Sequence, residues 1–532
     1  MNSLFTSLDW AVFAIYFAVI AFTGWHFSRT KITSTKDYFL GGNSMPMWVV
    51  AISVLATSQS AATFLGGPES SYRGDLTYLA TNIGGILGAI FVALVLIPRF
   101  YQNKVSTVYE LLKVRFGEKT KQRAGVMYLV GRVFASGARL YMAAIAVSMI
   151  LFTNIDPSSV VTSVLILVTV GLAYTYMGGI RSVIWSDLIQ LVVYVGAAIA
   201  VIIYLLGQIP ADFSQIAQVL ANPGEGQSSK LTLLDFTLDL TPAGTFSFWA
   251  CITGFVLLNI GAFGLDQDMT QRVLTCKDAK QGSKAMINSI IFSIPVVLVF
   301  MSIGLLLYVF YQRPDLMGVE GKDVVQSFNG ENVTIFMYYV LNEMPAGLRG
   351  LVTVGVVAAA LSTLNSGLNS MSSVAIQDIY KPWLEARKGE QDDLHYVKAG
   401  RFGMAAAALA LGSMGILCYY WQQYTDMPLL SFALSVMVFA YTGLLGVYFT
   451  AIFTERGNET SVALALVAGF LTTLLMQAYV WDSVMGTINT DWVGVRLAFP
   501  YQLCVGTFVS LIVCLSGKKQ PQEANKLQTV SQ

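Results

Sequence analysis

Ala359, Ser362, Thr363 and Ser366 fall at i, i+3, i+4 and i+7 of a long apolar run. A helix would carry them on one stripe. Hard cations take oxygen ligands, so a row of hydroxyls inside an apolar span is a candidate Na⁺ site. A second run, residues 45–67, is interrupted by Ala56-Thr57-Ser58-Gln59-Ser60. Four successive polar residues cannot all face lipid. A helix that unwinds near 56–59 would free carbonyls for a cation and turn Thr57, Ser58, Ser60 and Thr63 toward a solute. Close packing of small residues between helices draws on the same residue types and accounts for the run equally well.

Further positions could carry chemistry. In the run FVLLNIGAFGLDQDMTQR, Gly261 and Gly264 permit a break, and Asn259 and Phe263 lie one turn apart deep in the span. Asp266 and Asp268 fall at its inner end, where an interfacial cap beside the basic loop is the expected role. Asp187 stands just inside a span, and an ionisable residue there is a functional candidate, for a second Na⁺ or a proton. An ion pair with Arg181, six residues away, is the structural alternative. Arg139 sits near the middle of a long span, where a guanidinium costs at least about 2.5 kcal/mol. It should face the interior, and its planar fork suits a carboxylate on a solute or on the protein. Arg132, nearer the inner end, is expected to snorkel.

The elements that must position these groups are membrane helices. The chain has 532 residues, of which 55% are hydrophobic and only 12% charged, against about 25% charged in soluble domains. A net charge of +1 offers no nucleic-acid surface. Five scattered cysteines and two histidines give no metal-spaced set and no disulfide framework, so no cofactor is expected beyond Na⁺ as coupling ion. No basic residue precedes the first apolar run, so it reads as a first span rather than a leader.

With about 20 apolar residues per crossing, thirteen spans are expected: 9–28, 46–67, 77–99, 124–153, 159–178, 182–207, 246–265, 285–311, 347–377, 398–420, 428–453, 460–480 and 497–515. Alternate loops are rich in Lys and Arg, among them residues 104–123, 272–284 and 381–401. That pattern places the N-terminus outside and the C-terminus in the cytoplasm of a plasma (inner) membrane protein. The outer loop 208–245 holds Lys230 as its sole basic residue. The two interrupted spans, second and seventh, stand five apart, as a pair of five-helix repeats around a midplane site would require. The domains expected are an extra helix in 1–36, repeats in 37–207 and 208–453, two further helices in 454–515 and a polar tail, 516–532.

Residues 37–453 resemble the sodium/solute symporter family, which includes sodium–sugar, sodium–proline and sodium–sialic acid transporters. The motifs that carry the resemblance are DYFLGGNSMPMW (37–48), MGGIRSVIWSDLIQ (177–190), DQDMTQR (266–272) and AAALSTLNSGLNSMSSVAIQDIY (358–380). The resemblance implies the leucine-transporter fold, all-α, with the interrupted spans as core helices 1 and 6. It implies a Na⁺ site at Ala56, Gln59, Ala359, Ser362 and Thr363, and a second at Asp187, Ser366 and Asn365. Where sugar-transporting members place Gln, Glu and Lys, this chain has Thr63, Asn82 and Ile291, while Asn259 and Gln422 match. A gating aromatic position is Ala262, with Phe263 beside it. Together with the residue reading, the expected solute set is Ser58, Ser60, Thr63, Asn82, Arg139, Asn259, Phe263 and Gln422, with Arg139 entering from its depth in the span and not from a family match. Loss of the acid and the lysine points away from glucose or galactose.

The expected activity is sodium-coupled import of a small polar organic solute (a sugar, a sugar acid such as sialic acid, another carboxylate or an amino acid) by alternating access. A membrane sensor that binds solute without transport is the alternative. An enzyme is not expected, since no nucleophile–base set or HExxH motif occurs.

Overall fold

The computed structural model describes residues 5–28, 32, 34–224, 226–318, 327–328, 331–332, 334–422, 429–477, 480 and 496–518. These are helical apart from connecting segments and one two-residue antiparallel pair, Ser327–Phe328 with Glu331–Asn332. The helices that frame the site are, in chain order, α1 (Ser7–Ser28), α2 (Met47–Ser58), α3 (Ala61–Arg73), α4 (Thr81–Phe91), α5 (Glu118–Phe152), α6 (Pro157–Gln208) and α7 (Gly254–Ile260). They continue with α8 (Gln267–Val273), α9 (Ala279–Gln312), α10 (Leu348–Val374), α11 (Asp393–Gln422), α12 (Leu429–Phe453), α13 (Glu459–Leu475) and α14 (Phe499–Leu515).

Among the described residues nine helices are long and apolar enough to cross a membrane, or ten if one bent pair counts as a single span. The second expected span is broken: α2 meets the preceding segment Thr35–Asn43 at 111° and stops at Ser58. Pro157–Ala173 within α6, α13 and α14 are further apolar helical segments of 10–17 residues. Between Pro157–Ala173 and the rest of α6, Gly179 adopts φ 60° and ψ −164°. A Cβ there would lie 2.7 Å from the Tyr38 carbonyl oxygen, so the break and the close approach both need glycine.

Burial orders the helices from centre to rim. The apolar window of Leu348–Lys388, which contains α10, is 94% buried, whereas that of α1 is 22% buried. Helix α10 packs on α6, α5, α2 and α3, and α1 lies outside it against α6 and α10. Helices α12, α13 and α14 pack on one another at the other flank. The hydroxyl stripe on α10 is thus held at the centre, facing the broken α2–α3 pair.

Candidate functional site

The break between α2 and α3 is local and sharp. Gln59 is extended at φ −84° and ψ 138°, its N–H still bonded to the Leu55 carbonyl, and the helix restarts at Ala61. The last carbonyls of α2 therefore lack the partners that a continuous helix would supply. Ala56, Gln59, Ala359, Ser362 and Thr363 are all buried. On α10 the Ser362 hydroxyl donates to Asp187 Oδ1 at 2.7 Å and that of Thr363 to its own Ala359 carbonyl at 3.3 Å. On the broken segment, Thr57 Oγ1 and Gln59 Oε1 have no hydrogen-bond partner among the described residues.

Below the break lies a buried ion network that the sequence reading missed. The run 266–272 is not interfacial. After a π-helical turn, Gly261–Leu265, the chain is extended at Asp266 and then forms α8, every residue of which is buried. Counting residues puts Asp266 and Asp268 at a span end, but the break folds them into the interior. Asp266 Oδ2 accepts from Arg132 Nη1 at 3.0 Å and from the Tyr441 hydroxyl at 2.7 Å. Asp268 pairs with Arg132 and, at 2.7 Å, with Arg272 Nη1. Arg272 Nη2 also reaches Asp187 Oδ2 at 3.0 Å, and its Nε bonds Ser53 Oγ at 2.8 Å. Arg132 therefore does not snorkel: it is 2% exposed. Nor does Asp187 pair with Arg181, which donates to the Gly41 carbonyl instead. Arg272, read from sequence as one more cytoplasmic base, is the central cation. The one hint in the sequence was the i, i+4 spacing of Asp268 and Arg272.

The residues expected around a second Na⁺ are not joined to one another by hydrogen bonds. Asp187 is held by Arg272, Ser53 and Ser362. Ser366 donates to Asp268 Oδ2 at 3.1 Å. Asn365 Oδ1 faces Gly171 on α6 and is unpartnered among the described residues.

Above the network is a cavity of about 130 Å³. Ser58, Asn82, Arg139, Asn259 and Phe263 of the expected solute set line it. Asn82 and Asn259 meet there because α4 and α7 touch at glycines: a Cβ on Gly88 would lie 2.8 Å from Asn259 Cβ. The other three expected residues lie elsewhere. Ser60 lines a smaller pocket shared with Arg139 and Thr363. Thr63 faces Tyr78. Gln422, near the end of α11, accepts from the Tyr141 hydroxyl at 2.8 Å. Ile291, matched to a sugar-site lysine by sequence, is 50% exposed on the outer face, and its neighbour Ile290 lines the cavity instead. Sequence reasoning missed Tyr78, Ser293, Met437 and Tyr441 as lining residues, along with Arg132 and Asp266. Arg139 differs from the other two arginines. Its Nη2 touches only Met437 Sδ at 3.1 Å, and its Nη1 has no partner among the described residues.

A broken helix facing a hydroxyl stripe beside a polar midplane cavity is the arrangement of an ion-coupled transporter. The sodium:solute symporter family profile matches residues 38–469. The sodium/sialic acid symporter of Proteus mirabilis is 26% identical over 88% of this chain and 89% of its own length. The sodium/glucose cotransporter of Vibrio parahaemolyticus is 25% identical over 88% and 85%. The substrate-bound, outward-open structure of a Na⁺-coupled sialic acid symporter superposes with a TM-score of 0.77 at 23% identity, covering 97% of this chain and all of that one. The chain belongs to the sodium:solute symporter family. It is a multi-pass membrane transporter, not an enzyme, and couples movement of a small solute to Na⁺.

Proposed function

We propose that this symporter imports a small organic anion, a carboxylate such as a sugar acid or a short acid, by alternating access around the cavity between α2–α3, α4, α5 and α7. One observation carries the choice of solute: Arg139 lines the cavity without a carboxylate partner among the described residues. Three buried carboxylates and two guanidiniums form the network below, a net charge of −1, and Arg139 on the solute side brings the six groups to neutral, so no excess negative charge repels an acid there. The names of relatives do not decide it, since sialic acid and glucose transporters match this chain almost equally.

Sodium binds, in this reading, at the α2 break through carbonyls of Ala56 and Gln59 and through Ala359, Ser362 and Thr363 of α10. It ties the two helices together in the outward-open state and favours the neighbouring solute. Thirteen crossings with an outer N-terminus and cytoplasmic C-terminus, and five-helix repeats in 37–207 and 208–453, complete the architecture. The two breaks, at Gln59 and at Gly261–Asp266, fall in the second and seventh expected spans, five apart, which supports it.

Uptake into proteoliposomes with an inward Na⁺ gradient, or with choline, tests the proposal across labelled carboxylates, neutral sugars and amino acids. Concentrative, Na⁺-dependent uptake of an acid that Arg139→Ala abolishes and Arg139→Lys partly restores is the expected result. Uptake of a neutral sugar that is indifferent to Arg139→Ala would overturn the choice of an anion.

A further inference from the structure

Residues 231–240, LTLLDFTLDL, belong by sequence to an aqueous loop, yet their side chains are arranged the other way round. Leu231, Leu233, Leu234, Phe236, Leu238 and Leu240 are 36–71% exposed. The two acids, Asp235 and Asp239, are half-buried and turn back on their own segment. Their carboxylates accept from the Thr237 and Thr241 N–H groups at 2.9 and 2.7 Å. A contiguous row of large apolar side chains turned outward marks a surface made to meet something other than water.

Backbone hydrogen bonds fix the level of this segment. The Leu76 N–H donates to the Thr232 carbonyl at 3.1 Å, the Phe248 N–H to that of Asp235 at 2.7 Å and the Ala498 N–H to that of Leu240 at 2.8 Å. These donors stand at the starts of three apolar helical stretches, Thr77–Gln102, Phe248–Leu265 and α14. The segment is therefore a strap laid across helix ends, at the level where spans leave the bilayer. The sides of those helices are apolar as well. Leu87 and Ile90 on α4, and Val505 and Phe508 on α14, are 40–62% exposed. In a membrane protein such faces meet lipid, and the strap continues them past the helix ends. Trp249 lies at the same level, 41% exposed, and its indole N–H donates to the Phe236 carbonyl at 3.1 Å. An amphipathic ring of this kind suits the boundary between acyl chains and water.

We propose that residues 231–240 lie in the headgroup–acyl boundary of the bilayer and bind lipid through their leucine and phenylalanine side chains. Lipid fits better than a protein partner because the strap sits at the bilayer's own level. It also holds no basic residue, and both acids are turned inward, so its outer face offers no charge for a partner to read. The contact reaches the broken helix. Thr232 holds Leu76, and Lys230, one residue before the strap, bonds the last carbonyls of α3. The half-helix beyond the break is thereby tied to the membrane surface. The inference is independent of which solute or ion the site takes.

The test is fluorescence quenching in nanodiscs. Leu238→Cys and, separately, Glu390→Cys on an exposed polar loop carry an environment-sensitive label. The unsubstituted protein, in which four of the five cysteines are buried, sets the background. Phosphatidylcholine with a nitroxide at the head of its acyl chain should remove roughly half or more of the Leu238→Cys emission, since the boundary lies about 5–10 Å deep. It should leave Glu390→Cys nearly unchanged, and aqueous iodide should do the reverse. Emission from Leu238→Cys that iodide quenches and the nitroxide lipid does not places the strap in water and overturns the inference. Emission that neither quencher reaches overturns it too, because the cover is then protein. That cover is a second copy if dilution to one transporter per disc restores quenching, and another part of this chain if it does not. Leu233→Cys repeats the measurement should size exclusion show that Leu238→Cys fails to fold.

Discussion

Arg132 and Arg272 each bridge two carboxylates in the protein interior, and the energetics of such pairs are asymmetric. Forming them gains little over an apolar core, but removing one partner leaves a buried charge uncompensated. Arg132→Met should therefore destabilise the protein by about 3–5 kcal/mol, seen as a large drop in thermal unfolding temperature in detergent. Asp187→Asn with Arg272→Met should cost less than the sum of the two single changes, because the double variant leaves no orphan charge on that bond. Additive costs would show that the 3.0 Å pair is not coupled. Arg139 is the control. With no carboxylate paired to it among the described residues, Arg139→Met should change stability far less than Arg132→Met, although the two residues stand on the same helix.

The helix breaks matter because freed backbone groups inside a membrane need partners, and each end finds a different one. The inner side of the α2–α3 break faces α10. The C-terminal end of α3 is capped by Lys230, whose Nζ bonds the carbonyls of Tyr72, Arg73 and Gly74 at 2.8, 3.2 and 2.9 Å. The ammonium also lies 4.5 Å over the Tyr308 ring of α9. A cation at a helix C-terminus satisfies the last carbonyls and complements the helix dipole. Lys230→Met is expected to lower stability by about 1.5–3 kcal/mol, typical of hydrogen bonds to a charged group. It should also raise the reactivity of a cysteine introduced near residue 74, read by labelling from outside. Unchanged labelling would mean that loop and half-helix move independently.

At the scale of the whole molecule the prediction is one of linkage. If Na⁺ binds the folded transporter and not the unfolded chain, Na⁺ at 100 times its dissociation constant should stabilise it by about 2.7 kcal/mol relative to choline. Solute and Na⁺ must raise each other's affinity by the same factor. Ser362→Ala, distant from solute, should therefore weaken solute binding at fixed Na⁺ by the factor through which solute strengthens Na⁺ binding in the parent. Calorimetry in both orders of addition checks the reciprocity. Unequal factors would require a second state or a second ion.

What was legible in the sequence is what depends on neighbours along the chain. Hydropathy marked the membrane segments, polar or glycine interruptions marked both breaks, and the four-residue stripe of α10 followed from helical period alone. Three of the expected solute residues, Ser60, Thr63 and Gln422, fell outside the main cavity, because a period fixes the face of a helix but not what lies opposite. The ionic core was decided by tertiary structure. Asp266 and Asp268 lie near a span end by residue count, and only the fold at Asp266 brings them onto Arg132, more than a hundred residues earlier. Charges in a low-dielectric interior are governed by partners in space, and no local pattern could name those partners in advance.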